Sequence, residues 1–109
     1  MAKDHASLQR DVKILFELYS WEVVENKKGQ SARNYNSGEK GIADLLVVKP
    51  FSHVIWMEIK TPNDIQKPDQ VKFEKRVTAK GHKYFLIYDV EQAKEVLIIM
   101  ERQVNHGVL

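Results

Sequence analysis

The stretch Ala43-Asp-Leu-Leu-Val-Val-Lys-Pro-Phe-Ser-His-Val-Ile-Trp-Met-Glu-Ile-Lys60 predicts two β-strands joined by a short turn. Residues 43–48 and 53–60 are apolar and rich in β-branched and aromatic side chains, which is typical of strands. A connection of about five residues between them favours an antiparallel hairpin. This hairpin determines which polar side chains of the segment can meet.

Three polar side chains interrupt the apolar pattern of the hairpin. Side chains alternate across a strand, so Glu58 and Lys60 project from one face, about 6.5–7 Å apart along the backbone. Met57 and Ile59 then point into the core. If the hairpin pairs Asp44 with Glu58, their Cβ atoms lie about 5 Å apart on that same face. A register slip of one residue would move Asp44 to the opposite face and remove the site.

This arrangement predicts a site for a divalent cation. Two close carboxylates repel each other, and Mg²⁺ relieves the repulsion because it prefers oxygen ligands of this kind together with water. The expected ligands are Asp44, Glu58 and the backbone carbonyl of Ile59. The ion would polarise a phosphate and lower the pKa of a bound water, and Lys60 would orient that water and offset negative charge. Taken alone, Glu-x-Lys on a strand is more often the solvated face of an amphipathic sheet, and that alternative stays open at this point.

Upstream of the hairpin, the sequence predicts a helix, a strand and a long loop. Apolar residues at helical spacing over 7–19 indicate an amphipathic helix. Residues 21–25 are rich in β-formers and give the first strand. Residues 26–41 are polar and contain glycine, and loops of that length are usually functional or mobile. We interpret them as a candidate substrate loop, in which Arg33 and Lys40 would contact phosphate groups.

Downstream, a helix is predicted between Pro68 and Gly81, which suit its first turn and the position just past its end. One face of this helix carries Gln70, Phe73 and Val77.

A strand over 84–88 follows, apolar enough to be central in a sheet. Asp89 can then cap a last helix over 91–100. The predicted order is α-β-β-β-α-β-α, an α/β fold with a mixed sheet flanked by helices.

The composition excludes several other classes of protein. The chain of 109 residues contains no cysteine, so a disulfide framework and a thiolate zinc site are both excluded. A net charge of +2 is too small to argue for nucleic acid by itself. No apolar run approaches the roughly 20 residues that span a bilayer, and the first residues lack an apolar signal core. We expect one domain over 1–109, in the cytoplasm and not in a membrane.

Four segments in order resemble the VRR-NUC family of the PD-(D/E)XK nuclease superfamily. Gly41-Ile-Ala-Asp44 is similar to the family's Gly-Ile-Pro-Asp motif, with alanine replacing the proline, and Trp56-Met-Glu-Ile-Lys-Thr-Pro62 is similar to its Glu-Val-Lys segment. Asp64-Ile-Gln-Lys-Pro-Asp-Gln-Val-Lys-Phe73 resembles the stretch that ends in a glutamine and an aromatic residue. Ala79-Lys-Gly-His-Lys-Tyr84 resembles the glycine before the next strand. No single motif is specific, but the resemblance runs in order from Gly41 to about Leu97.

The resemblance implies a restriction-endonuclease-like fold and phosphodiester hydrolysis that depends on Mg²⁺, with Mn²⁺ as a substitute. It places metal ligation on Asp44, Glu58 and the carbonyl of Ile59. It places catalysis on Lys60, together with both carboxylates and with support from Gln70. From the residues alone, a glutamine on that helix face is more often a packing residue, although its amide could hold the lysine or a metal-bound water.

The first helix departs from the family pattern. The family usually has an acidic residue there, whereas the alignable positions in this chain are His5 and Gln9. Gln9 is carried over as an auxiliary residue. The missing acid favours one well-held metal ion over a strict two-ion mechanism.

The resemblance also implies a substrate and an assembly. Stand-alone domains of this length resemble phage and bacterial proteins that act as homodimers on branched DNA, which places the protein in a bacterial or host cytoplasm. The first hypothesis is therefore a homodimeric, structure-specific DNA endonuclease of recombination and repair, with four-way (Holliday) junctions as substrate. Two alternatives stay open: a flap, nick or single-strand nuclease, and a nucleic-acid-binding scaffold whose site no longer turns over.

Overall fold

The computed structural model describes residues 4–26, 41–50 and 53–106 of the chain. This part of the chain forms a four-stranded mixed sheet flanked by three helices. In chain order the elements are α1 (His5–Leu18), β1 (Glu22–Glu25), β2 (Leu45–Lys49), β3 (His53–Ile59), α2 (Pro68–Ala79), β4 (Lys83–Ile87) and α3 (Val90–His106). The predicted order α-β-β-β-α-β-α is confirmed.

Strands β2 and β3 form the predicted antiparallel hairpin. Leu45 lies opposite Met57 and Lys49 lies opposite His53. The same register, continued by one residue, places Asp44 opposite Glu58, on the same face of the sheet. β1 pairs antiparallel with β2, and β4 pairs parallel with β3, so the sheet order is β1-β2-β3-β4.

The main core lies between one face of the sheet and the helices α1 and α3. The sheet and both helices contribute its largest fully buried side chains, which are Leu8, Phe16, Leu45, Ile55, Met57, Ile59, Ile87 and Met100. Met57 and Ile59 therefore point into the core, as the alternation of the strand predicts.

On the opposite face of the sheet, α2 packs through a smaller cluster. Phe73 and Val77 lie against Ala43, Trp56 and Tyr84. The rings of Phe73 and Trp56 meet edge to face with centroids 4.9 Å apart. Side chains alternate along β3, so Trp56 and Glu58 lie on the same face of the sheet. Helix α2 covers this face.

Strand β4 is an edge strand within the described residues, so the prediction of a central strand is wrong. It pairs there with β3 alone. Its apolar sequence reflects cover on both faces instead, because Tyr84 contacts Phe73 of α2 while Ile87 is buried in the main core. A strand buried on both faces has a continuous apolar run wherever it stands in the sheet.

Local signals place the helix ends. Asp4 Oδ1 accepts a hydrogen bond of 2.8 Å from the backbone N–H of Ser7, in the first turn of α1. Pro68 occupies the first turn of α2, and Gly81 follows that helix with φ +89°. Asp89 caps α3 as predicted, through a hydrogen bond of 2.8 Å from the N–H of Gln92. None of the three described helices combines the length and the apolar character that crossing a membrane requires.

Helix α3 continues past the predicted end at residue 100. Its extension carries Glu101, whose carboxylate accepts hydrogen bonds from the indole N–H of Trp21 at 2.7 Å and from Lys49 Nζ at 2.8 Å. Partial burial alone would raise the pKa of Glu101, but the hydrogen bonds from Lys49 and Trp21 outweigh it and lower that pKa. The carboxylate thus ties α3 to the beginning of β1 and the end of β2.

Candidate metal centre and active site

Asp44 lies immediately before β2 and is only 5% exposed. Its Oδ2 accepts a hydrogen bond of 2.8 Å from the backbone N–H of Ile59. The Nε2 of His5 lies 3.3 Å from the same oxygen. The backbone carbonyl of Asp44 accepts a hydrogen bond of 2.8 Å from the N–H of Asn26. These contacts hold the carboxylate between β3 and the first residue of α1.

Glu58 and Lys60 lie at the end of β3 and are joined by Gln70 of α2. Both charged side chains are buried, at 3% and 4% exposure. Gln70 Nε2 donates to Glu58 Oε2 at 2.7 Å, and Gln70 Oε1 accepts from Lys60 Nζ at 2.8 Å. Lys60 Nζ lies 3.9 Å from Glu58 Oε2 and also donates to the carbonyl of Ile65 at 3.0 Å. The amide therefore holds the two opposite charges close together without a tight direct ion pair.

The amide of Gln70 has one defined orientation. Its Oε1 accepts a second hydrogen bond, of 2.8 Å, from the backbone N–H of Lys67 at the start of α2. The amide oxygen of Gln70 accepts from two N–H donors, and its amide nitrogen donates to a carboxylate. An amide flipped by 180° would therefore lose all three hydrogen bonds. Gln70 lies on the buried face of α2 with Phe73 and Val77, as the sequence predicts.

Gly41 brings the strand that carries Asp44 close to α2. It adopts φ +86°, a region that L-residues with side chains rarely occupy. A Cβ at this position would overlap the carbonyl oxygen of Asp69 and lie 2.5 Å from its carbonyl carbon. Asp69 directly precedes Gln70, so this backbone contact sets the spacing between the two halves of the site.

Tyr84 contacts α2 beside this cluster, and the pKa of its phenol is shifted by its surroundings. Burial raises the pKa of its phenol to about 12, against a hydrogen bond from Gln66 that lowers it. Glu58, Glu74 and Asp44 raise the same pKa further. The phenol therefore stays neutral at physiological pH.

The donor set around Asp44 and Glu58 fits Mg²⁺. Carboxylate oxygens at paired strand positions, with the carbonyl of Ile59 beside them in the chain, are the hard ligands that this ion prefers. Within residues 4–26, 41–50 and 53–106, no group of three or more His, Cys, Asp or Glu side chains is placed to hold a metal. A cation here would thus be held by two carboxylates, backbone oxygen and water, which is how Mg²⁺ is usually bound.

One residue predicted from the sequence, Gln9, is described but is not brought into this cluster. Gln9 donates to Glu25 Oε1 at 3.1 Å, and this contact links α1 to β1. Its auxiliary role stays a prediction. Arg33 and Lys40, with most of the candidate substrate loop, lie outside the described residues.

His5 is a residue of the site to which the sequence analysis gave no role. Its contact with Asp44 joins the first residue of α1 to β2. The signal was present in the helix periodicity, because residues 5, 8 and 12 share one face and both Leu8 and Val12 are buried. A histidine that continues a buried stripe faces the sheet and its neighbouring strand ends.

A scan against family models and a search of the curated proteins gave no match. Two solved structures, however, resemble this chain over almost their whole length. A "VRR_NUC domain" superimposes with a TM-score of 0.66 at 21% identity, covering 95% of this chain and 97% of the other. A "VRR_NUC domain protein" superimposes with a TM-score of 0.68 at 14% identity, covering 98% and 93%. The chain therefore has the fold of VRR_NUC domains.

Proposed function

We propose that the chain is a metal-dependent nuclease of the VRR-NUC family that hydrolyses phosphodiester bonds in DNA. The observation that carries the proposal is the buried arrangement of Asp44, Glu58, Lys60 and Gln70 within the fold of VRR_NUC domains. Burial of carboxylates and an ammonium is costly in free energy. Sites that perform acid–base or metal chemistry are where proteins commonly accept that cost.

Asp44 and Glu58 would hold Mg²⁺, or Mn²⁺ in its place, together with the carbonyl of Ile59. When bound, the ion polarises the scissile phosphate and lowers the pKa of a bound water. The two carboxylates would hold the ion at the end of the two central strands, β2 and β3, where Lys60 also lies.

Lys60 would act on the attacking water and on the developing negative charge. An ammonium has three N–H donors, and two of them bind Gln70 Oε1 and the carbonyl of Ile65. The third is available to orient water or a phosphate oxygen. Gln70 is a positioning residue in this scheme, because its neutral amide holds Lys60 beside Glu58 and carries no charge of its own.

The proposed substrate is branched DNA, with the four-way junction first, and the proposed assembly is a homodimer. The described residues of each chain form one such cluster, whereas resolving a junction needs two symmetric cuts. A dimer would have twice the 12.7 kDa mass of one chain. Light scattering of the purified protein measures this mass directly, with and without junction DNA.

The test is cleavage of an end-labelled four-way junction beside a linear duplex of the same sequence. The reactions contain Mg²⁺, Mn²⁺ or EDTA, and the proteins are wild type, Lys60→Met and Lys94→Met. Lys94 is the matched control because it is an exposed lysine, paired only with Glu91 among the described residues of α3. Lys60→Met keeps the length of the buried side chain but removes its charge and its donors.

We expect paired symmetric cuts in the junction alone, lost with EDTA and in Lys60→Met, and unchanged in Lys94→Met. Retained cleavage in Lys60→Met would refute the proposed active site. Cleavage of flaps, nicks or single strands in preference to the junction would show that the protein is a flap, nick or single-strand nuclease instead. Tight junction binding without any cleavage in either metal would favour the binding scaffold, for which the absence of an acid in the first turn of α1 is the specific observation.

A further inference from the structure

We infer that the outer face of α2 binds the phosphate backbone of the duplex arm that flanks the cleavage position. This basic face consists of Lys72, Lys75 and Arg76, which are all exposed. Lys75 and Arg76 lie three and four residues after Lys72, so the three side chains share one side of the helix. The inference rests on the proposed function and adds to it the surface that holds the substrate.

The segment that contains α2 concentrates positive charge. Between Lys67 and Lys83 the sequence has six basic residues and two acidic ones, which gives a formal charge of +4. The whole chain has a formal charge of +2, so the residues outside this segment sum to −2. A local excess of this kind attracts a polyanion, although the net charge of the whole chain is small.

The lysines of the basic face lack the acidic partners that other helical lysines of the fold have. Lysines of α1 and α3 lie 3.0 and 3.2 Å from carboxylates, in the pairs Lys13 with Glu25 and Lys94 with Glu91. Within residues 4–26, 41–50 and 53–106, no carboxylate lies within ion-pair distance of Lys72 or Lys75. Their charges are therefore available to an anion from outside this part of the chain.

Contacts beside the basic face keep an acidic residue engaged elsewhere and restrict one of the cations. Glu74 accepts a hydrogen bond of 2.8 Å from Gln66 Nε2, on the side of α2 that faces Tyr84. The guanidinium of Arg76 lies over the ring of Phe73, 5.6 Å from its centroid. A phosphate on this face would therefore meet a cation whose side chain has already lost part of its freedom.

The beginning of α2 connects the basic face to the active site. The amide oxygen of Gln70 accepts from both Lys60 Nζ and the N–H of Lys67, so the helix begins at the catalytic cluster. At 1.5 Å per residue, Lys72 and Arg76 lie roughly 3 and 9 Å further along the helix axis than Gln70. One strand of duplex DNA presents a phosphate about every 3.4 Å of its axis. A strand with one phosphate in the site can thus place the next few along this face.

The test is the salt dependence of binding to a labelled four-way junction, measured by fluorescence anisotropy in EDTA and in Ca²⁺. The variant Lys72→Gln/Lys75→Gln removes two charges from the basic face, and Lys72→Arg/Lys75→Arg keeps them. The matched control Lys94→Gln/Arg102→Gln removes two charges from exposed positions of α3. Circular dichroism establishes that each variant is folded.

We expect the slope of log affinity against log salt to lose about 1.8 in magnitude in Lys72→Gln/Lys75→Gln, because each phosphate contact contributes about 0.9. Near 0.1 M salt the same loss weakens binding on the order of 10–100-fold. The α3 control and the arginine variant should bind as the wild type does. In cleavage assays with Mg²⁺, KM should rise and kcat should stay unchanged, since neither lysine touches the reacting groups.

An unchanged slope in Lys72→Gln/Lys75→Gln would overturn the inference. An equal loss in the α3 control would also overturn it, because the effect would then follow the net charge and not the basic face. A wild type that binds through this face but cleaves no DNA would overturn the proposed nuclease and leave the surface as a DNA-binding face. A wild type that binds no DNA would overturn both.

Discussion

Replacement of Gly41 by alanine should damage both the stability of the fold and the site, and Gly81 provides a matched control. Both glycines have positive φ, +86° and +89°. A Cβ at Gly41 would overlap the Asp69 carbonyl, whereas a Cβ at Gly81 would have nothing within 4 Å. The pair of substitutions therefore separates the cost of the backbone conformation from the cost of the overlap.

The free-energy cost of each contribution can be approximated from measurements on other proteins. The left-handed conformation costs a residue with a Cβ roughly 1–2 kcal/mol, and the loss of chain entropy in the unfolded state returns about 0.4–1 kcal/mol. Gly81→Ala should thus lower the free energy of unfolding by about 1 kcal/mol. Overlap with a packed backbone adds about 1–3 kcal/mol in Gly41→Ala alone. A difference of about 2 kcal/mol corresponds to roughly 8–16 °C in the unfolding midpoint.

The assay is thermal and urea unfolding of both variants, followed by junction cleavage. Relief of the overlap moves the backbone of Asp69 and with it Gln70, so cleavage by Gly41→Ala should fall on the order of 100-fold if the displacement approaches 1 Å. Gly81→Ala should retain wild-type cleavage. Equal stability and equal activity of the two variants would refute the idea that the contact between Gly41 and Asp69 sets the spacing of the site.

Three other perturbations test separate parts of the structure. Gln70→Glu places a second carboxylate at the 2.7 Å contact with Glu58, so in EDTA it should be less stable than wild type at neutral pH. That deficit should shrink below about pH 5, where a shared proton restores the hydrogen bond; a deficit independent of pH would contradict this. The lowered pKa of Glu101 means that its contribution to stability is present above its unfolded value of 4.5 and is lost as pH falls through the folded value. Urea unfolding should therefore show wild type and Glu101→Gln differing at pH 7 and converging in acid, and a constant difference would count against the assignment. Alanine at Arg33 and at Lys40 should weaken DNA binding and reduce the slope of log affinity against log salt by about one each, and unchanged binding isotherms would remove the loop from the substrate path.

The hairpin and the arrangement of its polar side chains could be predicted because two local patterns agreed. The alternation of apolar residues along β3 defines which face carries Glu58, and only one register with β2 puts Asp44 beside it. The buried face of α2 is equally local, since Gln70 and Phe73 follow helical spacing. These features depend on neighbours in the chain, which a single sequence displays.

The features that were missed depend on contacts between distant segments. The apolar run of β4 indicates that both its faces are covered, but it does not indicate whether a second strand pairs with it. The last turns of α3 are held through Glu101, whose partner Trp21 lies 80 residues away. The contact of His5 with Asp44 exists only because α1 folds across the sheet.

All the side chains of the proposed site except His5 come from one continuous segment, between Gly41 and Gln70. The hydrogen bonds that join them span 15 residues from Asp44 to Ile59, 12 from Glu58 to Gln70 and 10 from Lys60 to Gln70. Loops this short cost little entropy to close, and contacts that are local in sequence form early during folding. We therefore expect the hairpin and α2 to bring these side chains together before α3 docks, so that the chemistry-bearing part of the protein is also its folding nucleus.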